Sequence, residues 1–289
     1  MQVKHLLFFP VIWLAISSAS ILVVLSGAPG EVNAFWRMFL SSLLLLPSWL
    51  EKKPQVRLHH VASGAALAFH FILWMKSLFM VSVYTSTLLV VLYPLYSLLL
   101  EVALYSYRPS GLQLLGFTTS VLSLVFYIGV NRLAFNPGAI SSLAAGFSVA
   151  VYFEIGRYAR STRGETLADY AFPTYLTAAV FTLAYNIAAG LNPIPGNPVS
   201  YVYFALMALI PMMLGHTLMN YLLRYYPAHL VTSVSLGEPF GAGLLAHVIL
   251  GQVIALSDLV AGAIIILSLA LIIYGYRGGN PGSAGGRVE

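Results

Sequence analysis

Glu238 stands near the middle of a long apolar run, in the stretch VSLGEPFGAG, with Pro239 directly after it. A carboxylate away from water is costly, and a proline cannot donate a helix hydrogen bond. The pair therefore places an acceptor or proton carrier beside loosened backbone. Tyr93 precedes Pro94 in LYPLYSLL, 145 positions before Glu238 and Pro239, and His70 and His216 stand 146 apart. These groups could bind a solute by a carboxylate, ring faces and imidazole nitrogens.

Helical spacing adds further candidates to the same faces. Thr232, Ser235 and Glu238 share one stripe, as do His70, Trp74 and Ser77, and His216 with Asn220. Trp13, Ser17 and Ser20 form a fourth set, and Ser148 with Tyr152 a fifth. The candidate substrate-binding residues are Glu238, Tyr93, His70, Trp74, His216, Asn220, Tyr152, Ser17 and Ser235, with Pro94 and Pro239 as hinges. Each has a plainer reading. A Ser or Thr can bond a carbonyl of its own helix, a buried His can be structural, and a proline can make a static kink. Glu101 and Glu154 read as interfacial groups, Glu154 with Arg157 three residues on.

The elements that must hold these groups follow from composition. The chain has 289 residues, 59% of them hydrophobic and 8% charged, where a soluble domain carries roughly a quarter charged. It reads as an all-α integral membrane protein. Apolar runs near 6–26, 33–50, 60–80, 83–105, 110–130, 137–158, 168–190, 200–223, 228–250 and 257–276 are each about long enough to cross the hydrocarbon layer. Short breaks such as SGAPGE, YRPSG and LNPIPGNPVS separate them. The first run exceeds a cleaved signal and reads as retained. The tail 277–289 is Gly-rich and reads as disordered.

Charge gives an orientation. With the amino terminus inside, Lys4, Lys52, Lys53, Arg57, Arg108, Arg157, Arg160, Arg163, Arg224, Arg277 and Arg287 fall on the cytoplasmic side. Arg132 falls outside, with Arg37 and Lys76 near the outer ends of spans two and three. The basic balance thus reports orientation and anionic lipid headgroups, and no basic-aromatic array points to nucleic acid.

The offset of about 145 covers half the chain and also lays Gly116 on Gly262. It predicts ten transmembrane helices as two inverted five-helix repeats around a central cavity, 1–133 and 134–276, because five spans reverse the entry face. With LYPLYSLL, LGEPFGAGLL and AFWRMFLSSLLLL in place, the sequence resembles the EamA-type, ten-helix members of the drug/metabolite transporter superfamily. That resemblance implies a 5+5 inverted repeat, cytoplasmic termini and a proline in helices four and nine. The acidic residue common in the family beyond each proline is replaced by Tyr107 and Gln252.

The resulting expectation is a secondary transporter in the cytoplasmic membrane, moving a small organic metabolite by alternating access, with amino acids and related zwitterions as the class the resemblance implies. The alternatives are a carrier of small organic cations or drug-like amphiphiles, a lipid scramblase or a receptor. Phosphorylated substrates fit poorly, since no Lys or Arg cluster stands at mid-span. Partners are the substrate, membrane lipids and a coupling proton or other ion. Absence of H-E-x-x-H, a P-loop and G-x-S-x-G argues against an enzyme, and the chain has no cysteine. Catalytic residues, metal and cofactor are all assigned as none.

Overall fold

A computed structural model describes residues 5, 7–51 and 55–276. Lys4, Lys52, Lys53, Arg277, Arg287 and the tail 277–289 lie outside the described residues. The described residues are helical, without a strand. We label the long elements α1 (Phe8–Leu25), α2 (Gly30–Leu50), α3 (Leu58–Ser77), α4 (Val83–Tyr105), α5 (Gly111–Val130), α6 (Pro137–Thr162), α7 (Leu167–Ala188), α8 (Pro198–Leu222), α9 (Ala228–Leu250) and α10 (Leu256–Tyr274).

Eight of these are long and apolar enough to cross a membrane, so this is a multi-pass membrane protein. The other two, α2 with 21 residues and α7 with 22, are long but more polar. Their polar side chains point inward: Asn33, Arg37, Ser41, Thr174, Thr182 and Asn186 are all buried. The two helices pack on each other, so these groups are shielded from lipid by protein.

Local chemistry sets the ends. Ser82 accepts from the amide of Thr85 at the start of α4, Asn136 from those of Gly138 and Ala139 at α6, and Asn197 from that of Val199 at α8. The other close pairings are α3 with α6, α5 with α10, α3 with α7, α1 with α8, α4 with α6, and α4 with α9. Small residues permit the approach. A Cβ at Gly237 would meet the Trp13 indole nitrogen and one at Gly241 the Ser17 hydroxyl, so GEPFG seats α9 on α1.

The helices that carry Pro94 and Pro239 are both interrupted. α4 divides into Val83–Val90 and Tyr93–Tyr105, with Pro94 in the first turn of the second piece. α9 divides into Ala228–Thr232, a 3-10 segment Ser233–Gly237 and Glu238–Leu250, with Pro239 in that first turn. Proline suits such a position, where its missing N–H has no partner to lose. The loosening expected beside Pro239 leaves no free carbonyl at Ser235, four residues before it, because the amide of Glu238 bonds that carbonyl through the tighter 3-10 geometry.

Candidate functional site

Tyr93 and Glu238 are each the first residue of a half-helix, and the breaks bring both to one buried cavity of about 20 Å³. Six helices line it: Ile16 and Ala19 of α1, Arg37 of α2, His70 and Trp74 of α3, Val90 and Tyr93 of α4, His216 of α8 and Glu238 of α9. Its volume holds about one water. Val90 also presents its carbonyl to Gly146 of α6, where a Cβ would come within 2.7 Å.

The two histidines meet, with ring centroids 6.0 Å apart. His70 stacks on Trp74 at 6.0 Å and 6°. Its Nδ1 lies 3.0 Å from the Ala145 carbonyl. A carbonyl only accepts, so Nδ1 carries the proton and a neutral His70 keeps Nε2 as an acceptor. His216 lies against Phe153 at 5.7 Å, and its Nδ1 has no hydrogen-bond partner.

Arg37 was expected near the outer end of its span and is instead 1% exposed inside the bundle. The reason is that α2 begins at Gly30, placing Arg37 about two turns in. Its Cζ sits 4.4 Å from the Phe71 ring centroid, while Nε and Nη1 have no hydrogen-bond partner. The cavity therefore carries a cation and an acid on separate helices. The Arg in AFWRMFLSSLLLL was the only sequence signal for it.

Four candidates on the right stripes do not line the cavity. Asn220 donates through Nδ2 to the Tyr152 hydroxyl and, at 3.2 Å, to that of Tyr175. Tyr175 reaches Thr217 at 2.9 Å, so this chain lies behind His216, whose ring is 6.2 Å from that of Tyr152. Ser17 packs against Gly241 with its Oγ unpartnered. Ser235 donates to the Thr232 carbonyl at 2.8 Å, the plainer reading of a helical serine. Ser148 has no place in the lining either, and α6 contributes none of it.

Two carboxylates are corrected. Glu101 is fully buried and not interfacial: Arg157 and His229 both pair with it, and the Ala228 amide donates to it at 2.8 Å. Glu154 loses Arg157 to Glu101 and is buried with both oxygens unpartnered. Both misreadings have one cause, since position along a span does not report which face of the helix meets protein.

His59, His60 and Glu165 offer ligand atoms within 4.8 Å of one another. They do not suit a metal ion. His60 Nδ1 accepts the Arg57 amide at 3.0 Å, so its Nε2 carries the proton and donates to Glu165 at 2.9 Å. A metal on Nε2 would turn Nδ1 into a second donor facing that amide. Arg57 and Arg163, each 3.7 Å from the carboxylate, add positive charge. The cluster fastens the start of α3 to the loop between α6 and α7.

Helices long enough to span a bilayer, two of them broken at mid-length around buried charges, define a polytopic membrane protein with a central polar site. Residues 136–274, the segment that holds LGEPFGAGLL, match the EamA-like transporter family, so the resemblance is shown on that segment. A solved crystal structure, described only as that of a protein, superposes with a TM-score of 0.73 at 15% identity, covering 95% of this chain and 98% of that one. It bears on the fold alone. No curated protein matches the sequence.

Proposed function

We propose that this protein is a secondary transporter that carries a small zwitterion, amino acids foremost, across the cytoplasmic membrane by alternating access. The observation that supports it best is Arg37 and Glu238 on one cavity, with two guanidinium nitrogens of Arg37 unpartnered. A guanidinium fork matches a carboxylate, and a carboxylate accepts from an ammonium group. Trp74, His70 and Tyr93 supply rings to the same cavity. A cavity of about 20 Å³ corresponds to an occluded form, so loading requires the broken helices α4 and α9 to part. Glu238 also serves as the seat of a coupling proton.

In this reading the chain spans the membrane ten times as two inverted repeats, 1–133 and 134–276, with both termini cytoplasmic. Reciprocal contacts support it. The Val83 amide opening α4 bonds Gln252 just beyond α9 at 3.0 Å, and the Ala228 amide opening α9 bonds Glu101 near the end of α4. Val83 and Ala228 keep the same offset as Pro94 and Pro239. The pairing of α3 with α6 likewise has its counterpart in α8 with α1.

A carrier of small organic cations is the second reading, favoured by Trp74 and Tyr93 beside Glu238. Arg37 on the same cavity weighs against it by repulsion. Counterflow in proteoliposomes separates the two. An amino acid is expected to exchange while the matching decarboxylated amine does not; exchange of the amine alone supports the cation reading, and exchange of neither removes both.

A further inference from the structure

On the flank of the bundle, α3, α4 and α6 enclose a second cavity of about 230 Å³ that shares no lining residue with the central one. Its rim residues Ala62, Leu104 and Tyr158 are exposed on the outer surface, where lipid would lie. The walls are apolar or aromatic, Leu100 and Tyr105 among them. Glu154 is the carboxylic acid of the lining and His59 its imidazole. His59 is engaged, its Nε2 2.9 Å from Glu165.

Glu154 has no such partner. It is 3% exposed, and neither carboxyl oxygen has a hydrogen bond. Arg157, one turn further on, pairs with Glu101 and rests over the Tyr105 ring at 4.9 Å. Its charge is already answered there. Arg163 in turn lies over the Tyr158 ring at 5.9 Å. What remains is a buried acid without a hydrogen bond or ion pair, on an apolar groove walled by these rings and open on the lipid side.

We propose that this groove binds an amphiphilic organic ammonium ion that enters from the membrane. The charged head meets the Glu154 carboxyl, while the apolar body lies along Leu100, Leu104 and the aromatic walls. An anionic head would face the Glu154 carboxyl, and a neutral lipid would leave that carboxyl unanswered. The site stands whether or not the central cavity carries a zwitterion.

The test uses full-length protein in lipid nanodiscs, with calorimetry against benzyltrimethylammonium and its neutral isostere neopentylbenzene. The wild type is expected to bind the cation and not the isostere. E154Q is expected to weaken binding at least about tenfold, and A62W, which fills the groove from its rim and leaves the acid in place, to do the same. E238Q is expected to bind like the wild type. If E154Q does not fold, A62W decides. No binding by the wild type, equal binding of the isostere, wild-type affinity in E154Q or A62W, or loss of binding in E238Q each overturns the proposal, the last by moving the cation to the central cavity.

Discussion

Arg37 and Glu238 illustrate how a charge is kept inside an apolar bundle: each is placed on a protein-lined cavity, away from lipid. If they recognise the two ends of a zwitterion, the geometry of each charge matters as well as its sign. Arg37→Lys keeps the charge and loses the fork, so amino-acid binding should weaken by about 1–3 kcal/mol in calorimetry with folding intact. Unchanged affinity would remove Arg37 from recognition. Glu238→Gln keeps the shape and removes a titratable proton. It should fold and exchange substrate at rates that no longer vary with pH, whereas the wild type's rates do; matching pH profiles would leave Glu238 a structural group. Glu101 answers to a different test, because it holds Arg157, His229 and the start of α9 together. Glu101→Ala should cost about 3–5 kcal/mol by stranding a buried cation, read as a lowered melting temperature.

At the level of elements, the two breaks at Pro94 and Pro239 set the whole site, since each turns a helix start toward the cavity. Pro94→Ala and Pro239→Ala allow the halves to join into continuous helix, so transport should slow while melting temperature stays equal or rises. Wild-type turnover at matched protein would make the breaks static. The interruptions were legible in the sequence because Pro94 and Pro239 stand at matching places 145 residues apart, whereas Pro47 and Pro173 lie inside unbroken helices and proline alone does not mark a break. Glu238, Tyr93, His70, Trp74 and His216 were legible as cavity groups for a related reason, being polar or aromatic groups near mid-span on faces that repeat. The 3-10 turn Ser233–Gly237 was not legible, nor the π-helical stretch Ala208–Thr217 around Pro211 that sets the face of His216, since both depend on neighbouring packing. Ser17, Ser235, Tyr152 and Asn220 share the right stripes, but a stripe is broader than a small cavity. Gly237 and Gly241 gave only a hint of which helix they admit. Gly241→Val would push against Ser17, and a loss of about 1–3 kcal/mol in stability is expected, seen as a lower melting temperature.

For the whole molecule, the inverted-repeat reading turns on one topological fact: the second half must enter from the face opposite to the first. The loop before α6 and the loop before α8 then lie on one side of the membrane, and the loop between α6 and α7 lies on the other. The proposed orientation puts the α6–α7 side in the cytoplasm, on the ground that Arg160 at the end of α6 and Arg163 just beyond it lie on that side and Arg132 stands almost alone across from them. The native chain has no cysteine, so single cysteines report without background. Ser161 lies in the last turn of α6, and Asn136 and Asn197 cap α6 and α8 at their starts. Ser161→Cys should react with an impermeant maleimide only from the cytoplasmic side, in inverted vesicles. Asn136→Cys and Asn197→Cys should react only from outside, in intact cells, and at a modest loss of stability from the removed caps. Labelling of Asn136→Cys and Asn197→Cys from opposite sides would break the ten-span count between them. All three labelled from their opposite faces would keep the two crossings between Asn136 and Asn197 and reverse the proposed orientation.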